Sequence, residues 1–503
     1  MRTMWLTIIV SLCLAGFVMA ADEPEAGAVD DELIEKMLES FDPDPQTQRL
    51  IDAVLHNPVR DIAINKKVFN DHNPYFSHEI KTGKITDQKS TGRCWLYAGL
   101  NILRPAVIDK IDDSSFEFSQ NYLFFWDKIE KANTFLEKVI ARRKLDVRDE
   151  DFQRILERPV GDGGWWEYFA NLVKKYGVVP ASAMPETRST KTSRMMDRYM
   201  TYQMREDAAE LRAMSAKGAS VKKLRQKKEE FLLEIYKVLT FHLGTPPTEF
   251  TYRYKSSVDE EKRTAELIRV INAITDGEGG GGFTETEALK EMAEDKVSVL
   301  KSYTPQEFAE EYVTADLDEY IVLGNDPSRE MNKRYIIEND RNIFEQGESG
   351  YVNVSIEDLK LATLQSVLSD EPVWFGADVT EQRENGQGIM NSELYLYDDI
   401  YGLKTVFTKA DRMLYQTEAT NHAMVFIGVD VVNDKPMKWK VENSWGNDVG
   451  DAGFYTMYSN WFDEYVIQSI INKKYLPQRI LDILDTKPVL IREHEFIAKI
   501  WMR

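Results

Sequence analysis

Ile85-Thr-Asp-Gln-Lys-Ser-Thr-Gly-Arg-Cys-Trp-Leu-Tyr-Ala-Gly-Leu100 is the stretch that decides how this chain reads. Gly92 permits a tight turn, and the apolar run from Trp95 reads as the start of a helix. Cys94 therefore stands at a predicted helix N-terminus, where the positive end of the dipole is expected to lower the thiol pKa. The chain has only two cysteines in 503 residues. The other, Cys13, lies in an apolar leader. Once that leader is removed, the remaining thiol has no partner for an internal disulfide and cannot supply a multi-cysteine metal site. It is core filler, a stray surface thiol or a nucleophile.

A nucleophilic cysteine needs a base, a group that orients the base, and donors for an oxyanion. Gln88, six residues before Cys94, has a side-chain amide able to donate to an oxyanion. Thr420-Asn-His-Ala-Met-Val-Phe-Ile-Gly-Val429 offers His422 at the head of a predicted core strand. Of the six histidines in the chain, no other has that placement. Lys440-Val-Glu-Asn-Ser-Trp-Gly446 offers Asn443 to fix the imidazole and Trp445 to shield that contact from water. Each segment alone is a weak signal. Together, in the order Cys, His, Asn, they mark nucleophilic catalysis.

Residues 1–20 read as a secretory signal peptide, with Arg2, an apolar run Trp5–Val18 and a Val18-Met19-Ala20 cleavage site. A secreted or periplasmic protein is expected, with no membrane after cleavage; an uncleaved leader tethering it to a membrane is the alternative. Residues 21–45 form an acidic leader, in which Glu32–Phe41 could be a short helix. Residues 46–503 are read as one large catalytic domain. The hydrophobic fraction of 43% suits a large core, and the net charge of −21 argues against nucleic acid as a partner. Met196–Leu243 has helical periodicity with opposite charges three or four apart, and its basic run Lys222–Lys228 reads as a solvated helix face. Asp276-Gly-Glu-Gly-Gly-Gly-Gly-Phe283 matches a dinucleotide fingerprint by chance, without the preceding strand that motif requires, and reads as a flexible loop. From Tyr351 the chain turns to strands: Glu371–Val379, Ala423–Val432, Lys438–Asn443 and Gly453–Tyr458. Helices early and strands late predict an α+β fold.

The three catalytic segments resemble those of papain-like cysteine peptidases. Gln88-Lys-Ser-Thr-Gly-Arg-Cys-Trp95, with Arg before the cysteine, is similar to the bleomycin hydrolase and aminopeptidase C branch. Gly161-Asp-Gly-Gly-Trp165, Lys174-Lys-Tyr-Gly-Val-Val-Pro180, Pro246-Pro-Thr-Glu-Phe-Thr-Tyr252, Glu371-Pro-Val-Trp-Phe-Gly376 and Val441-Glu-Asn-Ser-Trp-Gly446 resemble it too. His422 follows Cys94 by about 330 residues, against roughly 130–150 in papain-type enzymes, so large insertions are expected: a helical one over about 185–245 and a glycine-rich one over about 256–300.

The resemblance implies a helical subdomain facing a β-barrel-like subdomain. It implies Cys94 as nucleophile, His422 as base and acid, Asn443 as its orienting group, and Gln88 with the Cys94 backbone N–H as oxyanion hole. Gly163 and Gly164 would form a shelf for the substrate backbone, with Trp95 and Trp445 also beside the substrate. No metal and no cofactor are implied. Peptides are the expected partners, and a homo-oligomer, a hexamer, is implied by family likeness alone. The activity implied is that of a thiol aminopeptidase. The ending Lys487-Pro-Val-Leu-Ile-Arg-Glu-His-Glu-Phe-Ile-Ala-Lys-Ile-Trp-Met-Arg503 is bulky and basic where the branch ends in small residues. That ending raises an endopeptidase as the alternative, beside a catalytically idle peptide-binding scaffold on the same fold.

Overall fold

The computed structural model describes residues 27–256 and 297–492, apart from 416 and 419. The signal sequence 1–20 with Cys13, the core of the glycine-rich insertion and the ending past Arg492 lie outside the described residues. The chain divides into two units, one ending at Ala63 and the other starting at Ile64. The first carries helices α1 (Asp31–Glu39), α2 (Pro45–His56) and α3 (Val59–Ala63). Asp30 and Asp44 accept hydrogen bonds from the first-turn N–H groups of α1 and α2, which satisfies donors that no helical carbonyl reaches.

In the second unit α4 (Lys66–Asp71) and the short strand β1 (His78–Glu79) precede a helical half. That half contains α5 (Cys94–Ile111), α6 (Gln120–Ala141), α7 (Glu150–Glu157), α8 (Trp166–Tyr176), α9 (Arg188–Lys191), α10 (Arg194–Ala216) and α11 (Val221–Leu243). Helix α5 is buried over most of its circumference, as an apolar run without a polar face must be. Gly99 lets it approach α8: a methyl group there would lie 2.6 Å from the Phe169 ring. The periodic stretch after Met196 forms two helices, because Gly218 adopts φ +87° and Ser220 caps α11 through Lys223 N–H. Met196, Met200, Met204 and Leu211 of α10, with Leu224, Phe231, Ile235 and Leu239 of α11, form the buried stripes. The basic run is more than a solvated face. Arg225 and Lys228 both bind Glu137 of α6, tying α11 to the helix beneath it.

The sheet half follows. Strands β2 (Phe250–Ser256) and β3 (Val297–Tyr303) pair antiparallel. The remaining strands are β4 (Tyr320–Gly324), β5 (Lys333–Ile337), β6 (Gly350–Asn353), β7 (Val373–Ala377), β8 (Arg383–Glu384), β9 (Ile389–Met390), β10 (His422–Val432), β11 (Lys435–Glu442), β12 (Phe454–Tyr458), β13 (Val466–Asn472) and β14 (Val489–Ile491). They join in the order β14-β5-β6-β4-β13-β7-β10-β11-β12-β9-β8, with β1 on β10. The fold is α+β, as the order of helix-like and strand-like segments predicts. Among the described residues no helix is long and apolar enough to cross a membrane.

Register positions the chemistry. Strands β10 and β11 are joined by Asn433 and Asp434, both at positive φ (50° and 62°), the geometry of a tight hairpin turn with the right twist. The antiparallel register pairs Val425 with Glu442. It thereby brings His422, at the start of β10, beside Asn443, just past the end of β11. Glu442 is buried and accepts Arg104 Nη2 at 2.7 Å and Asn101 Nδ2 at 2.9 Å, both from α5. The nucleophile's helix is thus bonded to the strand that leads into Asn443. Removing one partner of such a buried pair costs about 3–5 kcal/mol, because the other charge is left uncompensated.

Candidate active site

Helix α5 begins at Cys94, and Arg93 before it provides no side-chain cap. The first-turn N–H groups are left without helical acceptors, and the backbone N–H groups of Ala423, Trp95 and Cys94 favour negative charge on the Cys94 sulfur. Arg93 faces the other way. It is fully buried and grips Glu186 through both terminal nitrogens, at 2.9 and 2.7 Å, and also donates to the Thr190 carbonyl and Thr91 Oγ1. The arginine before the cysteine is therefore an anchor for the loop, with its fork matched to a carboxylate.

Across the cleft, His422 Nε2 lies 2.7 Å from Asn443 Oδ1. Because the amide oxygen is an acceptor only, Nε2 carries the proton and Nδ1 keeps its lone pair. Asn443 Oδ1 is held in turn by the Ser444 N–H at 2.7 Å. Trp445 stacks on the imidazole, with ring centroids 4.5 Å apart. It covers His422, the place from which it can shield that contact from water. Trp95 does line the cleft, as a floor beneath the shelf: its Nε1 donates to the Asp162 carbonyl at 2.8 Å, and a Cβ on Gly164 would strike its ring at 2.6 Å. Nothing but glycine fits there.

Gln88 is buried and lines the same cleft as Cys94, His422, Gly163 and Gly164. Ser444 Oγ donates to Gln88 Oε1 at 2.7 Å, which fixes the flip of the amide, and Nε2 donates to the Thr91 carbonyl at 2.6 Å. An amide nitrogen has two hydrogens, so one remains for an oxyanion.

Asp162 went unread in the sequence, although it stands inside the Gly161-Asp-Gly-Gly segment. Its carboxylate accepts from the Gly92 N–H at 3.0 Å, from Lys128 Nζ at 2.7 Å and from Ser193 Oγ. With its carbonyl on Trp95, one residue joins the turn before the nucleophile, the shelf and the cleft floor. Burial would raise the Asp162 carboxyl, but the Lys128 ammonium and its hydrogen bonds hold it far below the usual carboxylate range. Ser444 and Lys131, whose Nζ donates to the Gly161 and Gly163 carbonyls, were also missed. No sequence pattern announces either.

The electrostatics reverse one expectation. Burial pushes the Cys94 thiol up to about 11, against the pull of the three backbone N–H groups. The helix N-terminus is present, yet desolvation outweighs it. Burial likewise pushes His422 down to about 4, while the Asn443 hydrogen bond raises it and the Arg383 charge lowers it further. Burial thus works against charge on the thiol and on the imidazole when each is taken singly. Among the described residues no cluster of three or more His, Cys, Asp or Glu side chains is arranged to hold a metal ion.

A reactive thiol, a base with a free lone pair and an oriented amide donor around one cleft of about 700 Å³ are suited to acyl transfer. The comparisons agree. Residues 28–270 and 290–497 match the model of the Peptidase C1-like family. Aminopeptidase C of Listeria innocua is 34% identical over 444 residues, 88% of this chain and 90% of that one. Aminopeptidase W of Lactobacillus delbrueckii subsp. lactis is 33% identical over 458 residues, 91% and 96% of the two chains. The crystal structure of PepW from Lactobacillus rhamnosis HN001 superposes with a TM-score of 0.84 at 32% identity, covering 94% of this chain and 99% of that one.

His422 can take the thiol proton only while it is neutral, which sets a pH dependence. The rate of iodoacetamide alkylation at Cys94 is expected to hold as pH falls from 7 and to drop through about 4. A drop centred near 6.5, where a solvent-exposed imidazole titrates, would contradict the burial assigned to His422.

Proposed function

The chain belongs to the Peptidase C1-like family, and on that footing we propose that it is an exported thiol aminopeptidase of the aminopeptidase C and bleomycin hydrolase branch, acting on peptides. The observation that carries the reading is the alignment of Asn443 on His422 Nε2, which turns Nδ1 toward proton transfer. The names of the relatives, aminopeptidases C and W, support action at a free N-terminus.

In the mechanism, Cys94 Sγ attacks the peptide carbonyl carbon while its proton passes to His422 Nδ1. The carbonyl oxygen, now negative, takes hydrogen bonds from Gln88 Nε2 and the Cys94 backbone N–H; one such donor is worth about 10²–10³ in kcat. His422 returns the proton to the leaving amine as the C–N bond breaks, and a thioester remains on Cys94. Water, deprotonated by His422, then attacks the thioester, releasing the amino acid and restoring the thiol. Gly164 supplies the backbone binding. Among the described residues neither its N–H nor its carbonyl has a hydrogen-bond partner, so an extended substrate can pair with both.

Export is proposed from the leader 1–20. A homohexamer is proposed from the branch, and the apolar groups left exposed on the α10–α11 hairpin, Tyr199, Tyr202, Leu233 and Phe241, favour assembly. Native mass spectrometry of the exported protein is expected to give six subunits, each lacking residues 1–20; a monomer of full-length chains would contradict both proposals.

The activity is tested with a dipeptide amide bearing a free α-amine and its N-acetylated twin. The free amine is expected to be hydrolysed and the acetylated twin not, and Cys94→Ala is expected to reduce kcat/KM by at least about a thousandfold. Equal rates on the twins would make the chain an endopeptidase. Peptide binding without turnover would make it an idle scaffold.

A further inference from the structure

Trp445 does more than cover the imidazole. Arg383 Cζ lies 4.4 Å from its indole centroid, the placement of a cation over an aromatic ring, and His422 stacks on the same indole at 4.5 Å. Imidazole, indole and guanidinium form one assembly. Two such spacings put the positive charge within about 9 Å of the imidazole.

The segment that carries Arg383 holds it there. Gln382, the residue before it, adopts φ 49°, in the left-handed region that residues other than glycine seldom occupy. Its side chain secures that conformation: Oε1 accepts from the Tyr395 N–H at 2.7 Å and Nε2 donates to the Tyr395 carbonyl at 3.0 Å. Arg383 then enters β8, in register with Met390 of β9. Tyr455 of β12 packs edge-on against Trp445 with centroids 6.1 Å apart, and its hydroxyl donates to Asn385 Oδ1 at 3.1 Å. The indole is thereby tied to the same segment. Strain secured in this way is found where a side chain must be aimed.

The other charged groups around the site are engaged elsewhere. Asp162 binds Lys128, and Asp127 binds Lys131. Asp378 accepts from the Asn421 amide and from Thr380. Asp87 pairs with Lys89, and Glu384 accepts from the Gly386 and Gln387 N–H groups. Burial raises the Tyr455 phenol, which stays neutral. Cys94 titrates together with the imidazole. Burial lowers the proton affinity of His422, the Asn443 bond raises it, and the Arg383 charge lowers it again.

We propose that Arg383 is a positioning residue for the peptidase reaction: held on Trp445, its charge opposes a second proton on the Cys94–His422 pair and drives the His422 proton onto the leaving amine. The inference rests on the peptidase reading above and adds a residue that acts through Trp445 without touching substrate. The sign is the same whichever atom keeps the proton. The pair carries one net positive charge when both groups are protonated and none after the first proton leaves, so a fixed cation favours that loss. In the acylation step the leaving nitrogen takes the electron pair of the C–N bond and the proton from Nδ1, and the imidazole returns to neutral.

The test compares Arg383→Met and Arg383→Gln, which remove the charge, with Arg383→Lys, which keeps it. In the two neutral variants the acid limb of Cys94 alkylation by iodoacetamide is expected to rise by about one pH unit, the effect of a unit charge at about 9 Å in a protein site. In Arg383→Lys it is expected to stay at the wild-type position. On an amino-acid amide, whose leaving nitrogen needs the proton, kcat/KM of the neutral variants at pH 7 is expected to fall about fivefold. On the matching p-nitrophenyl ester, whose leaving group departs as an anion, it is expected to hold. Coincident limbs in the wild type and the neutral variants, a limb displaced as far in Arg383→Lys, or equal losses on amide and ester would overturn the proposal. Alkylation needs no turnover, so a wild-type chain that hydrolyses neither substrate would overturn the peptidase reading while the limb still decides the effect of Arg383.

Discussion

The buried carboxylate of Glu442 is the constraint on which the site depends. It stands one residue before Asn443, and its partners, Arg104 and Asn101, lie on the helix that starts with Cys94. Catalysis by a thiol and an imidazole on different halves of a fold requires the halves to be fixed within fractions of an ångström. A charge pair with almost no solvent exposure on either side does this because any displacement would leave a charge unpaired in the interior. Shorter ties follow the same seam: Trp374 Nε1 to the Trp95 carbonyl at 3.2 Å, the Gln88 N–H to the Ser444 carbonyl at 2.8 Å, and Ser444 Oγ to Gln88 Oε1.

Around that seam two polar hubs set the approach to the nucleophile. Arg93 with Glu186 holds the loop from within the helical half, while Asp162 with Lys128 and Ser193 holds the Gly92 turn and the shelf together. The cleft walls are thus pinned by buried charges, and the oxyanion donors are preorganised before substrate arrives, which is where such donors gain their catalytic value. Desolvation in the same place opposes charge on the thiol and on the imidazole when each is taken singly.

The sequence revealed the reacting groups better than their supports. Cys94, His422, Asn443 and Gln88 sit in short segments whose residue types have few other uses, and the β10–β11 hairpin makes two of them neighbours by local register. The Asn433-Asp434 turn that sets this register went unread in the sequence, although both residue types tolerate the positive φ it needs. Asp162 was visible as an acidic residue among glycines, but its partners Lys128 and Ser193 come from distant helices, and only the folded chain brings them together. Burial explains the misread thiol: helix position can be inferred from pattern, whereas the desolvation that opposes it is a property of the whole packed cleft. The shielding by Trp445 was legible from its place two residues after Asn443, while the stacked geometry on His422 is set by the folded turn between them.

A thioester on Cys94 is the species that the whole arrangement exists to form. Rapid acid quench during turnover of an ester substrate, followed by peptide mapping by mass spectrometry, tests it directly. The account predicts the substrate's acyl group on the peptide containing Cys94, appearing before steady state and absent when His422 is replaced by alanine. Turnover with no acyl group on Cys94, or with the acyl group on another residue, would contradict it.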